Sequence, residues 1–185
     1  MAILYLSAFA SKTVSAVWAE IETASPRTGT LVAASFVENH LEHLTRSRMK
    51  DDKKLLDKMF ASSGVLGTFS AKINIGYLIN IYSQPTWKEL DTIRDIRNDF
   101  AHKLDVSYDT QSVKDRCASL IQWQKWKITF TAVKETDSVE EEKAGLTLDF
   151  TVGDPTTPYG RFQSARRYYI AVLSLLTNRP HQLEI

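Results

Sequence analysis

The chain has 185 residues, 43% of them hydrophobic and 24% charged, with a formal net charge of +1. Such a composition supports one globular domain with a sizeable core, and its near-neutral balance argues against a protein whose main task is gripping long DNA, which shows as a basic excess. A single cysteine, Cys117, rules out an intrachain disulfide and fits a reducing, cytoplasmic setting, and no apolar run approaches membrane-spanning length, so no membrane association is expected.

The first residues, Ala2 to Ala10, are apolar, but the run is short and no basic stretch precedes it, so it does not read as a secretion signal. Lys12 to Thr23 has helical character, and Ser25-Pro26 marks a break and a new start. From Thr28 to about Arg48, Ala34, Val37, Leu41 and Leu44 share one face of a long amphipathic helix. Asp51-Asp52 then precedes Lys53 to Phe60, with acidic groups placed to favour the dipole of a helix starting there. Ala61-Ser62-Ser63-Gly64 is a turn.

Val65 to Ile81 is mostly apolar and contains Gly67 and Gly76, which let neighbours approach closely; it is expected to be the central buried helix. Ser83-Gln84-Pro85 breaks the chain again. A helix from Thr86 to Leu104 follows, then one from Gln111 to Gln122. Trp126 to Thr131 and Leu146 to Thr151 alternate in strand fashion, with the glutamate-rich stretch Asp137 to Lys143 between them. The last helix runs from Arg161 to Leu176, with Phe162, Tyr169, Leu173 and Leu176 on one side. The expected fold is one mainly α domain over 1–185: a helical core at about 12–122, a small antiparallel β-ribbon at about 126–152 and a C-terminal helix at about 161–177.

The helix over 86–104 carries the most informative residues. Leu90, Ile93, Ile96, Phe100 and Leu104 fall on one arc, which should face the core, with Arg97 at its edge. Arg94, Asn98 and His102 form a stripe beside it. Arginine holds a phosphate with its planar fork, and histidine moves a proton near neutral pH. These are the minimal parts for cleaving RNA without a metal. His102 would accept the proton of a ribose 2′-hydroxyl or protonate the leaving 5′-oxygen, Arg97 would stabilise the phosphorane, and Asn98 would hydrogen-bond the imidazole. Arg97 and His102 lie about 140° apart around a straight helix, so a shared phosphate would need a second copy of the helix, as in a homodimer. The competing reading is structural: Arg97 paired with Glu38 or Glu42, and His102 bonded to a backbone carbonyl at the helix end. Residue chemistry alone leaves both open.

Other signals are weaker. His40 and His43 sit at i, i+3, a metal-like spacing, with Glu42 nearby, but a third ligand is not evident, so no metal or cofactor is expected. Cys117 has no neighbouring base. Arg161, Arg166 and Arg167 lie among Tyr159, Tyr168 and Tyr169, a mixture that could stack bases and hold phosphates, or simply divide into a core-facing aromatic side and a solvated basic side. Arg94, Arg161 and Arg166 are the candidate phosphate contacts.

The blocks Gly64-Val65-Leu66-Gly67-Thr68-Phe69-Ser70-Ala71-Lys72-Ile73 and Thr92-Ile93-Arg94-Asp95-Ile96-Arg97-Asn98-Asp99-Phe100-Ala101-His102, with Ala33-Ala34-Ser35 and Glu38-Asn39-His40-Leu41 before them, resemble the mannitol operon repressor family over roughly Pro26 to Leu120. The resemblance implies an all-α bacterial regulator that lacks a classical DNA-binding motif and acts through a protein partner, without sequence-specific DNA binding of its own. No helix-turn-helix, zinc-finger spacing or basic region appears here. The spacing of Arg97, Asn98 and His102 is also similar to the active motif of the HEPN superfamily. This group includes dimeric, metal-independent endoribonucleases of toxin–antitoxin and phage-defence systems, and catalytically silent RNA- or antitoxin-binding members. The regulator is the leading expectation and the RNase the alternative.

Overall fold

The structure is a computed structural model that describes residues 21, 23–125, 128–132, 144–148 and 150–177. The described part is mainly helical. Helix α1 spans Pro26–Ser47, α2 Lys53–Phe60, α3 Phe69–Leu78, α4 Gln84–His102, α5 Gln111–Ser119, α6 Gln122–Lys125 and α7 Pro158–Thr177. Between α6 and α7 the backbones of Ile128–Ala132 (β1) and Ala144–Leu148 (β2) run antiparallel, with Phe130 opposite Leu146. The expected helix at Lys12–Thr23, apart from its end, and the acidic loop at Asp137–Lys143 lie outside the described residues.

Helix α1 starts where the Ser25 hydroxyl accepts from the Thr28 amide at 3.2 Å, with Pro26 in the first turn, where its missing N–H is not needed. Ala33, Ala34, Val37, Leu41 and Leu44 form its fully buried face. Against this helix pack α7, α4 and α3, so α1 is the centre of the bundle. The segment expected to be central differs from the expectation. It becomes helical only at Phe69, with Thr68 capping Ala71 at 3.1 Å, and ends at Leu78. Val65 and Leu78 are 76% and 72% exposed. Gly67 lies in the preceding turn, where a Cβ would fall 2.2 Å from the Ala61 carbonyl oxygen. The glycine therefore serves a close backbone crossing before the helix begins. Asp52 caps α2 by accepting from the Leu55 amide at 3.0 Å. The Arg46 guanidinium covers the Phe60 ring at 4.5 Å and is held by Glu42 and Asp57.

The expected core arc of α4 is present at Leu90, Ile93, Ile96 and Phe100, all buried. Leu104 is the exception. The helix stops at His102, Lys103 turns extended, and Leu104 is 91% exposed. The expected helix from Gln111 to Gln122 is two pieces. At the break the buried Glu89 carboxylate of α4 accepts from the amides of Ile121 at 2.6 Å and Gln122 at 2.9 Å, starting α6, and from the Tyr169 hydroxyl of α7 at 2.9 Å. Burial pushes the Glu89 carboxyl up from its ordinary value, and these donors offset only part of that.

Helix α7 begins three residues before the expected Arg161, behind a turn in which Asp154 accepts from the Thr156 amide and hydroxyl at 2.9 and 2.7 Å. Phe162, Tyr169, Leu173 and Leu176 are buried as expected, and so are Tyr168 and Arg166. Tyr108, after α4, fills the junction of α1, α4 and α7. Its ring lies 4.9 Å from Phe100 and 4.8 Å from Tyr159, and its hydroxyl is 2.6 Å from that of Thr30.

One buried ion pair joins α1 to α3. The Lys72 ammonium, on a residue 5% exposed, lies 2.9 Å from Glu38 and 2.8 Å from Glu42. Burial alone would lower its pKa, but the two carboxylates outweigh this and hold it above the ordinary 10.5. The stability it contributes is therefore fully present below 10.5 and is lost as pH rises through the higher folded value. Lys72→Met is expected to lower unfolding stability by about 2 kcal/mol at neutral pH in urea titration, because both carboxylates lose a charge-assisted partner.

Candidate functional site

The last turns of α4 place the motif residues in different surroundings. Arg97 and Asn98 are half-buried, and the Arg97 Nη1 donates to the Asn98 Oδ1 at 3.0 Å. Neither Glu38 nor Glu42 takes Arg97, because both face Lys72. Among the described residues Arg97 has no carboxylate partner. His102 is exposed on the final turn, where a cation is favoured by the helix dipole. The expected bond from Asn98 to the His102 imidazole is replaced by the bond to Arg97. The structure thus joins Arg97 to Asn98, while Arg97 and His102 lie about 140° apart around the helix.

The carboxylates of α4 are all occupied. Arg94 lies 3.0 Å from Asp91 and 2.7 Å from Asp95, so this candidate phosphate contact is engaged on its own helix. Asp99, buried between the motif residues, takes Lys103 at 2.7 Å and Arg116 of α5. Burial would raise the Asp99 carboxyl, but the Lys103 hydrogen bond and the Arg116 charge outweigh it and hold it below the ordinary carboxylate range.

Arg27 was not legible as part of this site. From the first turn of α1 its Nη1 donates to the Phe100 carbonyl, and its Nη2 to those of Lys103 and Leu104, each at 2.8 Å. One sequence signal existed: a cation in the first turn of a helix opposes that helix's dipole unless it serves another element. Asp99, Lys103 and Arg116 were also missed, since their meeting depends on how α4 crosses α5.

The remaining candidates separate clearly. Arg161 is half-buried, its Nε donating to the Pro155 carbonyl at 3.1 Å. Arg166 is 1% exposed, which corrects its assignment as a surface phosphate contact. Tyr168 and Tyr169 are likewise in the core, because α7 is buried on nearly all sides, and only Arg167 of the trio is exposed. His40 Nδ1 lies 2.8 Å from the Phe36 carbonyl, and no group of three metal-ligating side chains exists among the described residues. Cys117 is fully buried, which pushes its thiol up to about 12, the opposite of an activated nucleophile.

No protein-family model, curated protein or solved structure matches the chain. The groups the site offers are a guanidinium oriented by an amide and an exposed imidazole about one and a half turns further along the helix.

Asp99 provides a pH test of the surrounding frame. A depressed carboxyl contributes stability above its ordinary value of 3.8 and loses it as pH falls through the lower folded value. Asp99→Asn is expected to destabilise the protein by about 1–2 kcal/mol at neutral pH. The gap to wild type should close below that value, read as thermal midpoints across an acid series.

Proposed function

We propose that the protein is a HEPN-type, metal-independent endoribonuclease that works as a homodimer. The observation that carries this reading is the distribution of charge on α4. Asp91, Asp95 and Asp99 are each taken by Arg94, Lys103 or Arg116, while Arg97 and His102 are in no ion pair among the described residues. A purely structural arginine at the edge of a core arc would be expected to hold a carboxylate.

The reaction follows from the groups. One His102 imidazole removes the proton of a ribose 2′-hydroxyl, and the 2′-oxygen attacks the adjacent phosphorus. Arg97, oriented by Asn98, stabilises the charge on the phosphorane. The bond from phosphorus to the 5′-oxygen breaks, and the imidazolium formed in the first step returns its proton to that oxygen. The products are a 2′,3′-cyclic phosphate end and a 5′-hydroxyl end. Since Arg97 and His102 point about 140° apart on one helix, the reacting set combines residues of two copies across a twofold axis.

The second reading is a mannitol-repressor-like regulator acting through a protein partner in the cytoplasm. It is supported by the residue blocks around Gly64–Ile73 and Thr92–His102, and by Leu104, an apolar side chain left 91% exposed beside the motif. In either reading we assign 126–152 as a β-ribbon insertion on the helical domain.

Cleavage of RNA in EDTA decides between them. Wild type is expected to cut and leave cyclic phosphate ends, with His102→Ala and Arg97→Ala slower by at least about 100-fold. Mixing the two inactive variants and allowing subunit exchange should restore about a quarter of the activity, because half the dimers then carry one intact composite site. No cleavage by the folded wild-type dimer would remove the RNase reading and leave the regulator.

A further inference from the structure

We propose that Arg27 is the positioning residue of the motif: it holds the end of α4 so that His102 is presented in one place. The inference rests on the RNase reading for its consequence in activity, and on geometry alone for the clamp.

Helix α4 ends in a way that needs an outside partner. The last carbonyls of a helix have no intrahelical donor, and many helices answer this with a glycine in the left-handed conformation just past the end. Here the position after His102 is Lys103, at φ −107° and ψ 128°, an extended residue that makes no such cap. Its amide serves the Asp99 carbonyl at 2.9 Å. The Phe100, Lys103 and Leu104 carbonyls are served by Arg27. These acceptors lie on both sides of His102 in sequence, so a single guanidinium brackets the backbone that carries the exposed imidazole. Its carbon also sits 6.0 Å from the centre of the Phe100 ring, the last core contact of α4.

The chemistry of the residue matters as much as its charge. Two nitrogens of one rigid plane reach three oxygens, a geometry that an ammonium cannot copy. The positive group also sits at the negative end of the α4 dipole, which offsets its unfavourable place in the first turn of α1. Because Arg27 reaches the backbone, it fixes the turn without touching the reacting groups. It places His102 and takes no part in the proton transfer.

The test uses Arg27→Gln and Arg27→Lys in the full chain, with three readouts: RNA turnover, amide hydrogen exchange over residues 101–105, and the His102 imidazole signals in NMR. In Arg27→Gln, exchange over this turn is expected to rise by about tenfold or more while the Leu90–Ile96 segment keeps its protection. The His102 signals should shift or broaden, and kcat should fall by about 10–100-fold with KM little changed. Arg27→Lys keeps the charge and should recover only part of each effect. Unchanged exchange and unchanged His102 signals in a folded Arg27→Gln would overturn the proposal, as would full rescue by lysine. If wild type does not cleave RNA, the RNase reading fails on that result, while exchange and NMR still decide the clamp.

Discussion

The fold depends on α1 having one face with no room for anything larger than it carries. Ala33 and Ala34 bring three other helices close to its axis, and Val37, Leu41 and Leu44 fill the remainder. Close packing of this kind makes position depend on every neighbour. It also means that the two ends of α1 control different things. The N-terminal end meets the C-terminal end of α4 through Arg27, and the other half meets α3 through Glu38 and Glu42. Hydrophobic burial assembles the bundle, and a few buried polar links determine how its helices are registered.

Those links share a design. Lys72 is held by two carboxylates of α1, Asp99 by cations of α4 and α5, and Glu89 by two amides and a tyrosine from α6 and α7. Each buried charge is satisfied by at least two groups, which is what makes its burial tolerable. Helix α4 takes part in two of the three. All of its carboxylates are thus engaged, and against that background Arg97 and His102, which are in no ion pair among the described residues, stand out.

Much of this was readable from local patterns. Ser25-Pro26 and Asp52 are caps, and a cap is a property of a few adjacent residues. The stripes of α1 and α4 follow from helical period alone. What failed were features set at a distance. Nothing near Leu120 and Ile121 announces that a glutamate some thirty residues earlier will start a new helix there. Leu104 continues the spacing of the core arc, so periodicity carries it inward, yet the helix ends two residues before it. Arg166 was misplaced for the opposite reason. A helix buried on nearly every side has no solvated stripe to which its charges can be assigned. Of the motif itself, residue types and spacing were legible, whereas the Arg97–Asn98 bond, the screening by Asp99 partners and the reach of Arg27 were not.

On the proposed reading, the separation of Arg97 from His102 is a specific consequence of using one helix for both. Phe100 must point into the core to end the α4 arc, and Asp99 must point toward α5. Arg97 and His102, five residues apart across that pair, are then turned about 140° from each other, whatever their chemistry. A protein can keep such a motif on a single helix only by letting a second copy complete the set, and then small errors in the helix end are doubled across the axis. Holding the α4 terminus by its backbone carbonyls meets that demand, because it removes the fraying expected of a final turn without occupying the imidazole. The exposed histidine and the half-buried Arg27 that holds the turn around it are therefore parts of one arrangement. The group that must meet substrate stays free, and the backbone that carries it is fixed from behind.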